Sequence, residues 1–387
     1  DYLNNVSYSC FGHLRGFKNI IPSFDVDDML ACAEDSYHIF WSNSFGKYLH
    51  IPRPLYIWNL RNDSESHSKS IPPNFNDNFN VALNKLNLND GGVDKMFNDI
   101  YVETSTLTSY EFEKLKGKKI VHMHIDTAFG REPLPTMRRL AKEWGFTLVE
   151  IAVAPPGLEQ QSQWLQVRQE KPDWVTFWGA GSGMNSTAMT NAARINFPRT
   201  KMMYVTFGGA EEDMIPAGDS SNGTYVVSNA LPGKNYPLIK NIQEKVYKAG
   251  KGNMADPNRV GTAYYNRGLG AAIMWTEAMR NAQKMHNKVG KAVTSEEFRA
   301  GYEAINFTEA RMKELGVEGM LASFALSCSQ HEGAGKFALM QWDGKAQAFK
   351  KVKDWTGPND PKAIRAQIVE SAAKYAEENK ITPKKCT

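Results

Sequence analysis

From residue 119 onward the sequence alternates short apolar segments with segments of helical period, and this alternation limits the folds that the chain can adopt. The segment 174–178 (WVTFW) is a continuous apolar run, which is typical of a strand buried on both faces. Strands that alternate with helices indicate parallel β-α-β units. The predicted strands are 119–126, 146–153, 174–178, 202–207 and 224–228, and the predicted helices between them are 134–144, 160–170 and 186–195. The sequence therefore predicts an α/β fold with a doubly wound sheet.

The remainder of the chain gives a weaker pattern. The later part predicts helices at 237–249, 260–282, 295–304 and 362–378, with a hairpin turn at Asp343-Gly344 between 336–342 and 348–352. The earlier part predicts buried strands at 37–41 and 55–59 and an asparagine-rich helix at 76–88, while 1–36 shows no periodicity. Because 387 residues are too many for one compact core, we expect two domains.

Charge and hydropathy exclude several classes of partner. The net charge of +4 is small for this length, and acidic and basic residues are interspersed, so we expect neither nucleic acid nor an anionic membrane surface as a partner. No apolar run approaches the roughly 20 residues that span a bilayer. The opening residues Asp1-Tyr2-Leu3-Asn4 lack the basic start and apolar stretch of a signal peptide, so we expect a mature form.

Four cysteines lie in two groups near the ends of the chain, at Cys10, Cys32, Cys328 and Cys386. None forms a CxxC pair, which argues against a zinc ribbon or a thioredoxin-like site. Their even number and positions favour two disulfides, Cys10–Cys32 and Cys328–Cys386, and an oxidising compartment. The alternative is four unrelated buried thiols.

The glycine-rich segment 179–183 (GAGSG) follows a predicted strand and precedes a predicted helix. Such a turn allows backbone N–H groups to approach an anion or another small ligand. The dinucleotide fingerprint requires glycine at position 184, where this chain has Met184, so a nucleotide site is disfavoured. The alternatives left open are a ligand loop and a turn that packs closely on its neighbour.

Two other loops follow predicted strands at the edge where open α/β sheets bind ligands. Phe129, in the first loop, offers a ring face to an apolar group or a cation, unless it is a core aromatic. A carboxylate of the acidic run Glu211-Glu212-Asp213, which follows the strand ending at Phe207, could hold a ligand ammonium. The alternatives for that run are a solvated acidic turn or an N-cap cluster.

The sequence gives little indication of a metal site or of a catalytic motif. His122, His124 and Asp126 share one face of a predicted strand, but later strands supply no further ligands in suitable positions, so we expect no metal. His331-Glu332 lacks a second histidine four residues on, and no nucleophile elbow or P-loop lysine is present. We expect no cofactor and no enzyme activity.

Several long motifs in the same order resemble the branched-chain amino-acid-type solute-binding proteins of ABC importers, which have the type I periplasmic binding fold. The motifs are HIDTAFGREPLP (124–135), QQSQWLQVRQEKPDWVTFWG (160–179), NAARINFPRTK (191–201), EEDMIPAGD (211–219), YYNRG (264–268), SCSQHEG (327–333) and ITPKKC (381–386). The resemblance extends from about residue 115 to the C-terminus, and it is loose before that point. Some members carry a cysteine pair like Cys328 and Cys386, which supports that bridge.

The resemblance implies two Rossmann-like, doubly wound lobes joined by a three-segment hinge. The implied N-terminal lobe is 1–118 with about 252–330, the C-terminal lobe is 119–251 with about 331–360, and 361–387 forms a C-terminal helix and tail. The ligand lies in the cleft between the lobes. The first lobe lacks the usual opening strand and glycine-rich loop in 1–36 and is about 35 residues short before Lys119, which puts its binding residues in question.

Carried over by position, the family's ligand contacts fall in both implied lobes. Ser42 and Ser44, with Asn62 and Ser64 in the loop 60–64, would hold a ligand carboxylate. In the other lobe, Phe129 stands where members often have a tyrosine, so a hydroxyl is lost. Further contacts are implied at Ala180, Gly181, Glu211 and Tyr264.

These implied contacts suit a small solute with an ammonium group. Glu211 would face the ammonium and Tyr264 would close the apolar end. The small residues Ala180 and Gly181 leave room for a ligand larger than leucine.

The sequence thus predicts an exported, monomeric receptor in the periplasm or outside the cell. It would bind an amino-acid-like, amide or aromatic-acid solute without chemistry and deliver it to the membrane permease of an ABC importer. Two alternatives remain: a ligand sensor on the same fold, and a nucleotide-using Rossmann-like enzyme, which the sequence supports less.

Overall fold

The computed structural model describes residues 115–131, 133–179, 181, 183–205, 208–252, 254, 256–331, 333–357, 361–382 and 386. The described strands are β1 (Lys119–Ile125), β2 (Thr147–Val153), β3 (Trp174–Trp178), β4 (Met202–Tyr204), β5 (Tyr225–Ser228), β6 (Asn306–Phe307), β7 (Phe324–Ala325), β8 (Phe337–Asp343) and β9 (Ala348–Thr356). The described α-helices are α1 (Ala128–Arg131), α2 (Leu134–Trp144), α3 (Gln161–Glu170), α4 (Met184–Arg194), α5 (Glu211–Ala217), α6 (Pro237–Ile242), α7 (Ala263–Met285), α8 (Ser295–Glu303), α9 (Glu309–Glu314) and α10 (Pro361–Glu378).

The described residues form two compact units. Those up to Leu231, together with Ala334–Asn379, form the first, which we call the sheet unit. Pro232–Gly333, together with the described residues from Lys380 onward, form the second, which we call the helical unit. The lobes expected from the sequence have boundaries near residues 251 and 330 instead, and that assignment stays a prediction.

The sheet unit contains a seven-stranded sheet of order β2-β1-β3-β4-β5-β8-β9. Neighbours from β2 to β5 pair in parallel, whereas β8 pairs antiparallel with both β5 and β9. The chain order reverses between β1 and β3, so the sheet has its topological switch point there. This arrangement confirms the parallel sheet that the alternation of strands and helices predicted.

Helices cover both faces of this sheet, because the central strands are apolar on both sides. On one face, Val121 and Phe177 pack with Trp164 of α3 and Met189 of α4. On the other face, the core includes Ile120, Trp174 and Trp178 of the strands with Met137 and Leu140 of α2. WVTFW is buried at all five positions, as its composition predicts. The sheet is therefore doubly wound.

His122 lies on β1 inside the second of these cores and is 1% exposed. Its Nδ1 lies 2.8 Å from Thr176 Oγ1, and its Nε2 is buried without a hydrogen-bond partner in the described part of the chain. Burial, with a smaller contribution from the nearby charge of His124, lowers the pKa of His122 to about 3. The imidazole is therefore neutral at physiological pH.

We expect the free energy of unfolding to fall as the pH drops from about 6.5 towards 3. In that window the unfolded chain binds a proton on His122 that the folded chain does not bind, so stability is lost by up to about 1.4 kcal/mol per pH unit. Urea unfolding at pH 7, 6 and 5 measures this change in the free energy of unfolding. The His122→Gln variant should lose less stability over that range than wild type. Equal losses in the two proteins would contradict the assignment.

The helical unit is organised by α7, whose N-cap Thr262 accepts a hydrogen bond from Tyr265 N. Gly301 of α8 packs so closely on α7 that a Cβ there would lie 2.2 Å from Ala278 O. Arg311 of α9 donates from Nε and Nη2 to the two carboxylate oxygens of Glu277 on α7, at 2.9 and 2.8 Å. Thus α8 packs on α7 through close backbone contact, and α9 is held to α7 by a bidentate ion pair.

The disulfide Cys328–Cys386 forms within the helical unit, with its Cα atoms 5.6 Å apart. This confirms one of the two predicted bridges, whereas Cys10 and Cys32 lie outside the described residues. None of the described helices is both long enough and apolar enough to cross a bilayer.

Several boundaries differ from those predicted. The strand expected at 202–207 ends at Tyr204, and its last two predicted positions, 206 and 207, lie outside the described residues. The helix expected at 237–249 is α-helical only to Ile242 and continues as the π-helical turn Gln243–Tyr247. β9 runs to Thr356, four residues beyond the predicted end. As an edge strand it carries Lys350 and Lys351, which are exposed, and the half-buried Lys353, and these charges weaken the apolar signal.

Candidate functional site

The candidate site lies at the carboxyl edge of the parallel strands in the sheet unit. His124 pairs with Trp178 and Phe177 with Tyr204, so β1, β3 and β4 end at similar heights. The loops after β1 and β3 flank the switch point, where open α/β sheets bind ligands, and the loop after β4 follows the next strand of the sheet. Phe129, Gly181 and Glu211 lie on three of them or directly after them.

The loop after β1 is a short turn that runs into α1. Thr127 Oγ1 accepts a hydrogen bond from Gly130 N at 3.2 Å. Gly130 lies so near the strand that a Cβ would be 1.7 Å from Ile125 O. Asp126 Oδ1 accepts from Arg131 Nε at 2.9 Å and from Nη2 at 2.6 Å. The loop is therefore fixed by its own polar groups.

Phe129 is half-buried in this turn. Its ring packs against both cores of the sheet unit and lies 6.0 Å, between centroids, from the buried Trp178 ring. The two interpretations of Phe129 as a core aromatic and as a ligand contact are thus compatible in geometry, because the side chain is anchored below and partly exposed. Its contact with a ligand stays a prediction.

The segment after β3 uses its glycines for two different purposes. Gly181 and Gly183 have φ angles of +39° and +85°, which favour glycine. Gly179 instead packs closely, since a Cβ there would lie 2.4 Å from Phe177 Cε1 and 2.5 Å from Asn185 Oδ1. Close packing at Gly179 and a partly exposed backbone at Gly181 therefore both occur in this segment.

Two further positions bear on what this turn can bind. Ala180 and Ser182 lie outside the described residues. Met184, where a dinucleotide fingerprint needs glycine, is fully buried in the core. A side chain thus occupies the position that would have to admit a close helix–strand or phosphate contact.

The loop after β4 leads to α5, which begins with Glu211-Glu212-Asp213. Asp213 is buried, and its Oδ2 accepts a hydrogen bond from Ala210 N at 3.3 Å. Ala210 is the N-cap residue, and Asp213, the third residue of α5, supplies the side chain that accepts from its N–H, so the acidic run contributes to capping this helix. Glu211 is the first residue of α5 and is half-buried, so its carboxylate is partly withdrawn from water. That a ligand ammonium lies against it stays a prediction.

A further loop at this edge was not singled out from the sequence. Ser228 ends β5 and is buried, and its hydroxyl both donates to Ala230 O at 2.8 Å and accepts from Ala230 N at 3.3 Å. Serine at a strand end forms such turns, and this is the signal that could have identified the loop.

The remaining predicted contacts lie elsewhere. Tyr264 is buried in the first turn of α7 in the helical unit, and Arg267 Cζ lies 4.9 Å from its ring centroid. Ser42, Ser44, Asn62 and Ser64 fall outside the described residues. For all five, a role in ligand binding stays a prediction.

The described residues contain no group of three metal-ligating side chains. His122 and His124 stack at 5.9 Å between ring centroids, and each has its Nδ1 within hydrogen-bond distance of a neighbouring oxygen, Thr176 Oγ1 or Ile125 O. In this part of the chain, the HxH motif is a pair of packed core histidines.

The comparisons with known proteins agree with this architecture. The family model described as periplasmic binding protein matches residues 89–348. A solved structure described as an ABC transporter permease from the Pseudomonas fluorescens group is 32% identical, with a TM-score of 0.67, over 77% of this chain and 74% of its own. A comparison with curated protein sequences gives no match.

Two more distant structures show the fold. A branched-chain amino acid ABC transporter from Thermus thermophilus with bound valine is 20% identical, with a TM-score of 0.56, over 69% of this chain and 67% of its own. An ABC transporter substrate-binding protein from Aeropyrum pernix is 13% identical, with a TM-score of 0.59, over 88% of this chain and 94% of its own. Both support the type I fold that the sequence motifs implied.

The family model covers more than half of the chain, and the first relative shares nearly a third of its residues over most of its length. The chain therefore belongs to the periplasmic binding protein family, the solute-binding receptors of ABC transporters.

Proposed function

We propose that this receptor captures a small amino-acid-like, amide or aromatic-acid solute, leaves it chemically unchanged, and presents it to the membrane permease of an ABC importer. The observation that carries the proposal is the edge of the sheet unit at the switch point. There, neighbouring loops offer an anchored aromatic ring at Phe129, partly exposed backbone at Gly181 and a half-buried carboxylate at Glu211. These are the groups that recognise an apolar body, an anion and a cation respectively.

We infer the mechanism from the two-lobed arrangement that the sequence motifs implied. A ligand that touches both lobes has contacts in the closed state that do not exist in the open state, and this difference in affinity drives closure about a hinge. The permease would then recognise the closed form. Membership of the family and the Cys328–Cys386 disulfide both favour an exported, oxidising location. We propose a monomer without a nucleic-acid partner.

A thermal-shift screen tests the proposal. The panel contains L-valine, L-glutamine, acetamide, urea and benzoate, with ATP and NAD as nucleotide probes. A solute that binds only the folded protein adds about 2.7 kcal/mol of stability at a hundredfold excess over Kd, so one solute class should raise Tm clearly. NMR of the recovered solute should show it unaltered.

Two outcomes would contradict the proposal. A shift with ATP or NAD and none with any solute would favour a nucleotide-using protein. Conversion of a bound solute into another compound would establish an enzyme.

A further inference from the structure

Two buried amide side chains connect the loops at the carboxyl edge of the sheet unit. Neither was singled out in the sequence, and neither is among the residues predicted to touch a ligand. Gln160, just before α3, is fully buried. Asn185, the second residue of α4, is fully buried as well. Because a buried amide must form hydrogen bonds to offset its lost hydration, the partners of these two side chains define their role.

Gln160 joins the loop after β2 to the turn after β3. Its Nε2 donates to Gly157 O at 2.5 Å and to Met184 O at 2.8 Å. Its Oε1 accepts from Trp164 Nε1 at 3.1 Å, which fixes the orientation of the amide. One side chain thus connects two loops separated by a strand and a helix.

Asn185 joins the turn after β3 to the loop after β4. Its Nδ2 donates to Asp213 Oδ1 at 3.0 Å, and the other oxygen of Asp213 holds the start of α5 through Ala210 N. A Cβ on Gly179 would lie 2.5 Å from Asn185 Oδ1, and a Cβ on Gly208 would lie 2.7 Å from it. The amide therefore fills the gap between two glycine backbones, one from each loop.

Together these contacts form a continuous series across three loops. The first turn of α4 is held from one side by Gln160 and from the other by Asp213. Gly181 precedes this turn, and Glu211 lies two residues before Asp213. Any shift of the amides would consequently move the two positions to which a ligand role is assigned.

We propose that Gln160 and Asn185 are positioning residues that hold the Gly181 turn and the Glu211 carboxylate in a ligand-ready arrangement. The inference rests on the proposed function, in which these loops bind the solute. A preorganised site binds more tightly because the ordering cost is already met in the free protein. Gln160 and Asn185 therefore contribute to affinity without touching the solute.

The first test pairs Asn185→Ala with Asn191→Ala. Asn191 is a matched control, since it is a buried asparagine of the same helix whose Nδ2 donates, within the described part of the chain, to Thr187 O at 3.0 Å. For the panel solute with the largest melting shift, Asn185→Ala should raise Kd about tenfold or more, the scale for loss of a buried hydrogen bond to a charged group. Asn191→Ala should leave Kd within about twofold. Calorimetric titration measures both.

Hydrogen exchange of the ligand-free proteins shows which loops each substitution destabilises. Asn185→Ala should accelerate exchange at 179–185 and 205–213, the two loops that Asn185 joins. Gln160→Ala should accelerate it at 154–160 and 179–185 instead. Asn191→Ala should leave all three loops at the wild-type rate. Different loops responding to each variant would not follow from a general loss of stability.

Swapping the amide and the carboxylate between positions 185 and 213 tests whether ligand affinity can be restored. Asn185→Asp, which keeps the shape of the side chain, places two carboxylates face to face and should weaken binding as Asn185→Ala does. Adding Asp213→Asn restores the pair of one amide and one carboxylate, because the new amide at 213 can donate to the carboxylate at 185. The oxygen of the new amide can still accept a hydrogen bond from Ala210 N. The double variant should recover the affinity and the slow exchange of wild type.

The outcomes separate the two proposals. If no panel solute binds wild type, both the function and the positioning role are overturned. If a solute binds wild type but Asn185→Ala keeps its Kd within about twofold, or the double variant fails to recover, the positioning role alone is overturned.

Discussion

Glu211→Ala is expected to weaken binding of an amine-bearing solute by about 2–5 kcal/mol, roughly thirtyfold to several thousandfold in Kd. The carboxylate lies at the first position of α5 and is half-buried, so a bound ammonium would lose water and depend on that charge. Removing the carboxylate leaves the ammonium desolvated and without its partner. Titration calorimetry with L-valine, or with L-glutamine if valine does not bind, measures the change.

The same variant discriminates between solute classes. For benzoate, which has no amine, loss of a nearby negative charge should leave affinity unchanged or strengthen it. Asp219→Ala is the control, because Asp219 is an exposed carboxylate just beyond the other end of α5 and should not alter Kd. An unchanged Kd for an amine-bearing solute in Glu211→Ala would remove Glu211 from the site.

The double variant Cys328→Ser/Cys386→Ser is expected to lose about 4 kcal/mol of unfolding free energy. The bridge joins residues 58 positions apart, and closing a loop of that length restricts the unfolded chain by about this amount in the chain-entropy model. Urea unfolding under oxidising conditions measures the shift in midpoint. Serine is close in size to cysteine, so packing changes little.

The control for the disulfide is wild type treated with a thiol-free reductant, with thiols counted after the reaction. Reduced wild type and the double variant should unfold at the same midpoint if Cys328–Cys386 accounts for the whole effect. A midpoint of the double variant equal to that of oxidised wild type would show that the bridge does not stabilise the fold.

Strands buried on both faces could be predicted from sequence, because their apolar runs need no knowledge of neighbours. WVTFW at 174–178 is the clearest case, and its predicted bounds match β3. The pair β6–β7 was not predicted, since each strand has two residues and carries no period. α8 was predicted nearly to its ends, at 295–304 against Ser295–Glu303, and the structure shows that Thr294 and Glu297 form a capping box at its start.

Some residues of the candidate site could likewise be predicted from the sequence, and others could not. Phe129, Gly181 and Glu211 could be proposed because they follow strands, and topology places such loops at one edge. Gln160 and Asn185 could not, since a polar side chain in a helical pattern resembles an ordinary surface residue. Only the packing of Gly179 and Gly208 against Asn185, and of Trp164 against Gln160, reveals that these amides are buried.

The covalent path of the chain has a consequence for its resistance to proteolysis. Between Cys328 and Cys386 the polypeptide leaves the helical unit, forms β8, β9 and α10 of the sheet unit, and returns. The β8–β9 turn at 344–347 is partly exposed and lies within this closed ring. A protease that cuts the turn would therefore release no fragment, and the nicked receptor would keep both pieces linked until a reductant reached it.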